Sequence, residues 1–161
     1  MKINLDYKIE IEVKEGNKTK EKLSIFLREF TKAEKKEHEE IKDKFSKIFK
    51  KANKISKKQT VLSKKAELNE MSGEYQKSLF YIEKVEKLDD ELDELISELD
   101  EIGGGNQDAF TEKVAKERFE TLVSGKDVEK LKKYAEIKGY ASLMRELDLA
   151  KSELEKKQLG E

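Results

Sequence analysis

The chain opens with strict alternation. Ile3, Leu5, Tyr7, Ile9, Ile11 and Val13 are separated by Asn4, Asp6, Lys8, Glu10 and Glu12, with Lys2 in front. A period of two, rich in β-branched and aromatic side chains, predicts a half-buried strand. Glu15-Gly16-Asn17 has turn chemistry. Leu23, Ile25 and Leu27 alternate again beyond it. The expectation over residues 1–30 is an antiparallel β-hairpin with one apolar face. Two strands alone are marginal in water. That face must therefore cover a helix of the same chain, a second copy or a partner.

The period then changes. Thr31 followed by Glu34 is a capping box, which marks a helix start. From Ile41 the apolar positions run Phe45, Ile48, Ala52, Ile55, Gln59, Leu62 and Ala66, steps of three and four that make a heptad seam broken only by Gln59. Phase is lost from Leu68 to Gly73. It resumes at Tyr75, Leu79, Ile82, Val85, Leu88, Leu92, Leu95, Leu99 and Ile102. Gly103-Gly104-Gly105-Asn106 ends that stretch and makes a joint over residues 103–107. Residues 31–102 are thus expected to form a long helical hairpin that folds back near Asn69 to Gly73.

Shorter helices follow over residues 108–161. Asp108 can cap one that carries Phe110, Val114, Phe119, Leu122 and Val123, with Ser124-Gly125 as its stop. Asp127 can cap the next, with Leu131, Tyr134 and Ile137, ended by Gly139. The last carries Leu143, Met144, Leu147, Ala150 and Leu154. The expected fold class is mainly α with a small N-terminal β-hairpin: a long antiparallel coiled-coil hairpin plus a short C-terminal helical bundle.

Composition suits this architecture. Only 35% of the 161 residues are hydrophobic and 44% are charged. Such a chain favours long helices that bury a narrow stripe and solvate the rest. No proline interrupts them and no cysteine is present to form disulfides or thiolate metal sites. The longest apolar run is Leu79 to Ile82, against the roughly 20 residues of a membrane span and the roughly 7–15 of a signal-peptide core. A cytoplasmic, membrane-free protein is expected.

The charges are segregated. Lys42 to Lys65 holds ten lysines and one acid, Asp43, and Glu83 to Glu101 holds ten acids and two lysines. If the helix folds back, Lys50 lies opposite Leu92 and its neighbours Glu91, Asp93 and Glu94, and Lys42 lies near Asp100 and Glu101. The two blocks would then run side by side and set register, as flanking charges do in coiled coils. The other two readings are a lysine strip free for nucleic acid or an acidic protein, and an unbroken helix paired with a second copy. Lysine dominates over arginine, which is present only as Arg28, Arg118 and Arg145. Lysine is a flexible point charge without the fork that reads bases, so nucleic acid is not the favoured partner.

Catalytic and metal chemistry finds no motif. His38 sits in Glu37-His38-Glu39-Glu40, and a Glu-x-x-His metal motif would need an acid where Lys35 stands. Asp89-Asp90-Glu91-Leu92-Asp93 lacks the spacing of a calcium loop. Gly103-Gly104-Gly105 is not followed by Lys-Ser or Lys-Thr, as a phosphate-binding loop requires. No enzyme activity, no cofactor and no metal are expected. The candidate partner-binding residues are apolar ones of the β-hairpin and the C-terminal helices: Ile9, Ile11, Leu23, Ile25, Phe119, Tyr134 and Tyr140.

The order of elements around Leu27-Arg28-Glu29-Phe30-Thr31-Lys32-Ala33-Glu34, a strand pair running into a charged helix, resembles the opening of small tail assembly chaperone-type proteins of bacteriophages and prophages. The stretch Arg118-Phe119-Glu120-Thr121-Leu122-Val123-Ser124-Gly125-Lys126-Asp127 is similar to phage proteins as well. The long charged segment from Ile41 to Ile102 departs from that pattern. The resemblance implies a non-enzymatic assembly factor that binds an aggregation-prone phage structural protein in the host cytoplasm. Two alternatives come from the charge blocks. One is a phage-encoded inhibitor that lays its acidic face, Glu83 to Glu101, on a host enzyme. The other is a lysine-rich nucleic-acid-binding module. Self-association is compatible with the seam.

Overall fold

The computed structural model describes every residue except Lys2, Asn4 and Glu161. The elements are β1 (Asp6–Glu15), β2 (Lys18–Arg28), α1 (Lys32–Met71), α2 (Tyr75–Gly103), α3 (Gln107–Leu122), β3 (Val123–Ser124), α4 (Val128–Lys138) and α5 (Tyr140–Leu159). The fold is mainly α with a small antiparallel β-hairpin. It divides into two compact units. One joins Met1–Lys35 to Phe110–Glu161, and the other is Lys36–Ala109.

In the first unit β1 and β2 pair antiparallel, with Tyr7 opposite Leu27, Ile9 opposite Ile25 and Ile11 opposite Leu23. These cross-strand pairs share one face, so the alternation read from the sequence becomes a single apolar surface. Gly16 begins the connecting turn with φ +64°, while among the described residues no non-glycine residue has positive φ. A positive φ at the first turn position suits a two-residue hairpin. The register shifts between Val13 and Lys14. β1 starts later than the alternation suggests: Ile3 and Leu5 precede it and are exposed, and the Lys2 and Asn4 positions of that pattern lie outside the described residues.

A third strand is present that the alternation does not announce. Val123 and Ser124 pair antiparallel with Leu27 and Phe26, so α3 stops at Leu122 and Val123 is strand, not helix. The C-terminal helices pack on the sheet's apolar face. Ile9, Leu23, Ile25 and Leu27 join Ala115, Phe119, Leu122, Leu131, Ala135, Tyr140, Leu143, Met144 and Leu147 in one core. Ile137, expected to be apolar and inward, is exposed.

Local hydrogen bonds explain where the helices start. Thr31 N–H donates to Glu34 Oε1 at 2.9 Å and Glu34 N–H donates to Thr31 Oγ1 at 3.2 Å, the reciprocal capping box. Arg28 grips the same carboxylate with both arms, at 2.7 and 2.9 Å. These bonds, led by Arg28, hold the Glu34 carboxyl at about 2 against an ordinary 4.5. Asp108 does not cap α3. Asn106 does, accepting Ala109 N–H at 2.8 Å, and α3 begins one residue before Asp108, at Gln107. Asp127 precedes α4 without a side-chain capping bond and instead accepts the Ser24 N–H of β2 at 2.8 Å. The first amides of α5, of Tyr140 and Ala141, donate to Glu112 of α3 at 2.9 Å each. A carboxylate there also suits the positive end of the helix dipole.

In the second unit α1 and α2 form an antiparallel hairpin. α1 ends at Met71, Gly73 turns with φ +79°, and Glu74 N–H reaches Asn69 O at 2.8 Å. Gln59 donates across to Val85 O at 3.2 Å and to the Asp89 carboxylate, and Lys65 lies 5.8 Å from the Tyr81 ring. These contacts move the register from the sequence expectation. Lys50 faces the neighbourhood of Ile96 instead of Leu92, because α1 runs to Met71 before turning. At about 1.5 Å per residue, α1 is about 60 Å long.

Candidate interaction surface

The seven residues named as partner-binding candidates sit in the first unit, and the fold brings all of them together inside it. Ile9, Leu23, Ile25, Phe119 and Tyr140 are buried core, and Ile11 and Tyr134 are half-buried against that core. Phe119 meets Tyr140 edge-on with ring centroids 5.5 Å apart. Tyr134 donates its hydroxyl to Glu21 Oε1 at 2.8 Å, and that bond raises its pKa above the ordinary value. The apolar face of the β-hairpin is thus covered by helices of its own chain. An open depression of about 410 Å³ remains beside β1 and β2, lined among others by Glu10, Glu12, Lys22 and Asp127. Its charges are mixed, and Asp127 is already occupied by Ser24 N–H.

The hairpin unit differs. On α1 the seam is as its spacing predicts: Phe45, Ile48, Ala52 and Ala66 are buried, and Ile41, Ile55, Gln59 and Leu62 are half-buried. On α2 the base of the seam also agrees, with Leu99 buried and Val85, Leu88, Leu92 and Leu95 half-buried. Toward the turn it does not. Tyr75, Leu79 and Ile82 are exposed, whereas Ser78 is buried and Tyr81 half-buried. Counting back from Leu99 in steps of four and three through Leu95, Leu92, Leu88 and Val85 arrives at Tyr81 and Ser78. The large apolar residues beside them are one position out of phase, so the helix turns them away from the seam.

The result is an apolar hairpin end. Val61, Leu68 (63% exposed), Met71, Tyr75 (63%), Leu79 (58%), Phe80 (53%) and Ile82 all stand in solvent within one stretch of chain. Isolated exposed apolar residues are ordinary; several near one turn mark a candidate surface of contact.

Charge around this end is asymmetric. With seam residues labelled a and d, nine of the ten lysines from Lys42 to Lys65 fall at c, f and g, and only Lys42 falls at e. In an antiparallel pair the g positions of both helices border one flank and the e positions the other. The contacts agree: seam residue Gln59 meets Asp89 at e, and Lys65 at g meets seam residue Tyr81. The g flank therefore carries the lysines. On the e flank α1 presents an uncharged row, Ser46, Phe49, Asn53, Ser56, Thr60 and Ser63, followed by Glu67 and Glu70 toward the turn. Among the described residues, no ion pair within 4 Å joins a lysine of the basic block to an acid of the acidic block. The blocks lie antiparallel, as expected, but do not make close pairs.

Val61, Leu68, Met71 and Phe80 belong to neither stripe of the sequence, and Tyr75, Leu79 and Ile82, which hydrophobic spacing alone puts in the seam, are exposed. Strict heptad phase is the signal that separates them. Among the described residues no group of three or more His, Cys, Asp or Glu could hold a metal ion, and no helix is long and apolar enough to cross a membrane. Comparison with family models, with curated proteins and with solved structures finds no match.

Proposed function

We propose that this chain is a non-enzymatic protein-interaction or assembly factor that offers the end of its α1–α2 hairpin to an apolar segment of another protein. The observation that carries this reading is the cluster of large exposed apolar side chains around the turn, set on a hairpin whose own seam is already filled. Covering one such side chain is worth about 1.5–3 kcal/mol, so a few of them suffice for useful affinity. The likeness to phage tail assembly chaperones fits: a factor that shields an aggregation-prone component needs an accessible apolar surface on a charged, well-solvated carrier.

The test is suppression of aggregation of a model client, the chemically reduced B chain of insulin, followed by light scattering. The parent chain should suppress it in proportion to its concentration. A variant carrying Leu68→Ser, Tyr75→Ser and Leu79→Ser should lose most of that effect while keeping its helical circular dichroism. Undiminished suppression by the variant, or none by the parent, overturns the reading.

A further inference from the structure

The g flank at the hairpin end combines exposed apolar side chains with lysines, whereas the e flank has exposed apolar side chains without lysines. Lys58 and Lys65 on α1 and Lys84 on α2 occupy g positions, and all three are exposed. Between and beside them stand the exposed side chains of Val61, Leu68 and Phe80, all at c positions of their helices and hence on the same flank. The Lys84 ammonium lies 4.4 Å from the Phe80 ring centroid, so cation and apolar surface are already joined there. Toward the base of the hairpin the same flank changes: α2 places Glu91 and Glu98 at g, opposite α1 lysines. At the turn end lysines of both helices border one another instead, and α2 places no acid at the c and g positions from Lys77 to Lys87.

From this arrangement we infer that the turn end of the g flank is a docking site for an acidic amphipathic helix of a partner protein. The inference rests on the interaction reading above and names the chemistry of the partner. Helix-in-groove recognition needs apolar anchors at helical spacing and a complementary charge rim. Val61 and Leu68, one heptad apart on α1 with Phe80 across from them, supply the anchors. The lysines supply the rim and select against basic segments. Single-stranded nucleic acid is disfavoured by the same residues. It binds on stacking aromatic platforms within a cationic groove, whereas Phe80 is the one aromatic among the six side chains and it is already covered by Lys84.

The experiment uses the full chain and three 18-residue probes, each fluorescently labelled: a helical peptide with a leucine heptad stripe flanked by glutamates, the same peptide with lysines for glutamates, and a polyglutamate without leucine. Anisotropy titrations at low salt should show binding of the first alone, weakening as salt rises. Amide shifts should map to Lys58, Val61, Lys65 and Phe80. Lys58→Glu, Lys65→Glu and Lys84→Glu together should weaken the acidic peptide by at least about tenfold and create affinity for the basic one. These lysines lie outside the seam, and circular dichroism checks that the variant is folded. Equal binding of polyglutamate overturns the proposal, since the site would then be a bare polyanion patch. So does tighter binding of a single-stranded oligonucleotide or of anionic vesicles in competition, or self-association through this flank in sedimentation. Binding of the acidic peptide on the Tyr75–Leu79–Ile82 side defeats this proposal but leaves the hairpin-end reading standing. Failure of every probe, together with failure to suppress insulin aggregation, defeats both.

Discussion

The two units carry similar densities of charge and use them differently. In the sheet unit, charges close on specific partners. Arg28 holds Glu34, Arg118 reaches both oxygens of Asp148 at 3.1 Å, and Lys151 meets Glu29 at 2.6 Å. In the hairpin unit Lys77 pairs locally, with Glu74 at 3.3 Å beside the turn. Arginine placement is part of the reason. All three arginines of the chain lie in the sheet unit and none in the hairpin. The guanidinium fork fixes a carboxylate bidentately, whereas a lysine at a helix flank keeps its mobility and its hydration. One unit spends its charges on a defined tertiary structure. The other leaves them in solvent, where they orient partners at longer range.

The strongest test of that contrast is in the sheet unit's core. Phe119→Ala should cost about 3–5 kcal/mol, because a fully buried ring is removed from a close-packed site. Hydrogen exchange should rise across β1, β2 and α5. Loss confined to α3 would show that the core is less continuous than its packing indicates. In the hairpin, the corresponding change acts in the opposite direction. Gln59 is the polar residue in the α1 seam, tied to Val85 O and Asp89. Polar seam residues set register at a cost in stability. Gln59→Leu should therefore stabilise the hairpin by about 1 kcal/mol and broaden its register. Spin labels at Lys50 and Ile96 should report a wider distance distribution, and an unchanged distribution with no gain in melting temperature would show that Gln59 does neither.

Much of this architecture is readable from residue pattern, and the failures are physical. The β-hairpin face, the capping box at Thr31 and Glu34, the α1 seam and the fold-back all follow from spacing, because each rests on many residues in phase. The two-residue strand Val123–Ser124 has too little length to show a period, and its existence depends on tertiary pairing with Phe26 and Leu27. Near Tyr75 hydrophobicity and seam periodicity part: Ser78 is the buried residue, and Leu79 beside it is exposed. Ile9 and Phe119, by contrast, are in phase with their elements and lie in the core of the sheet unit. Apolar residues with a regular period are those that the fold consumes. The ones left for a partner are out of phase.

A smaller effect separates the two uses of charge by pH. The Glu34 carboxyl is held at about 2 in the folded chain against an ordinary 4.5, chiefly by the Arg28 hydrogen bonds and then by Thr31 N–H. A depressed folded value means that the carboxylate contributes stability above pH 4.5, and that this is lost as pH falls from there toward 2. Exchange at the amides of Thr31 and Lys35 should rise over that window, and Glu34→Gln should remove the pH dependence. A Glu34 carbon resonance titrating at the ordinary value would break the assignment.

The smallest effect on stability is expected where the largest effect on binding is. Leu79 is 58% exposed and lies outside the hairpin seam. Replacing it with serine removes an apolar side chain that water already surrounds. Surface changes of this kind usually fall within about 0.5 kcal/mol, so the melting temperature of Leu79→Ser should match the parent. Ser78, its neighbour, gives the control. It is 5% exposed, and a leucine placed there would force a larger side chain into a filled seam position, at a cost of about 1–3 kcal/mol. Moving one leucine by one residue thus separates the two roles. Ser78→Leu should lower the melting temperature, and Leu79→Ser should spare it while weakening suppression of client aggregation. If Leu79→Ser melts lower than Ser78→Leu, the seam follows hydrophobicity after all, and the apolar end of the hairpin is core and not a surface.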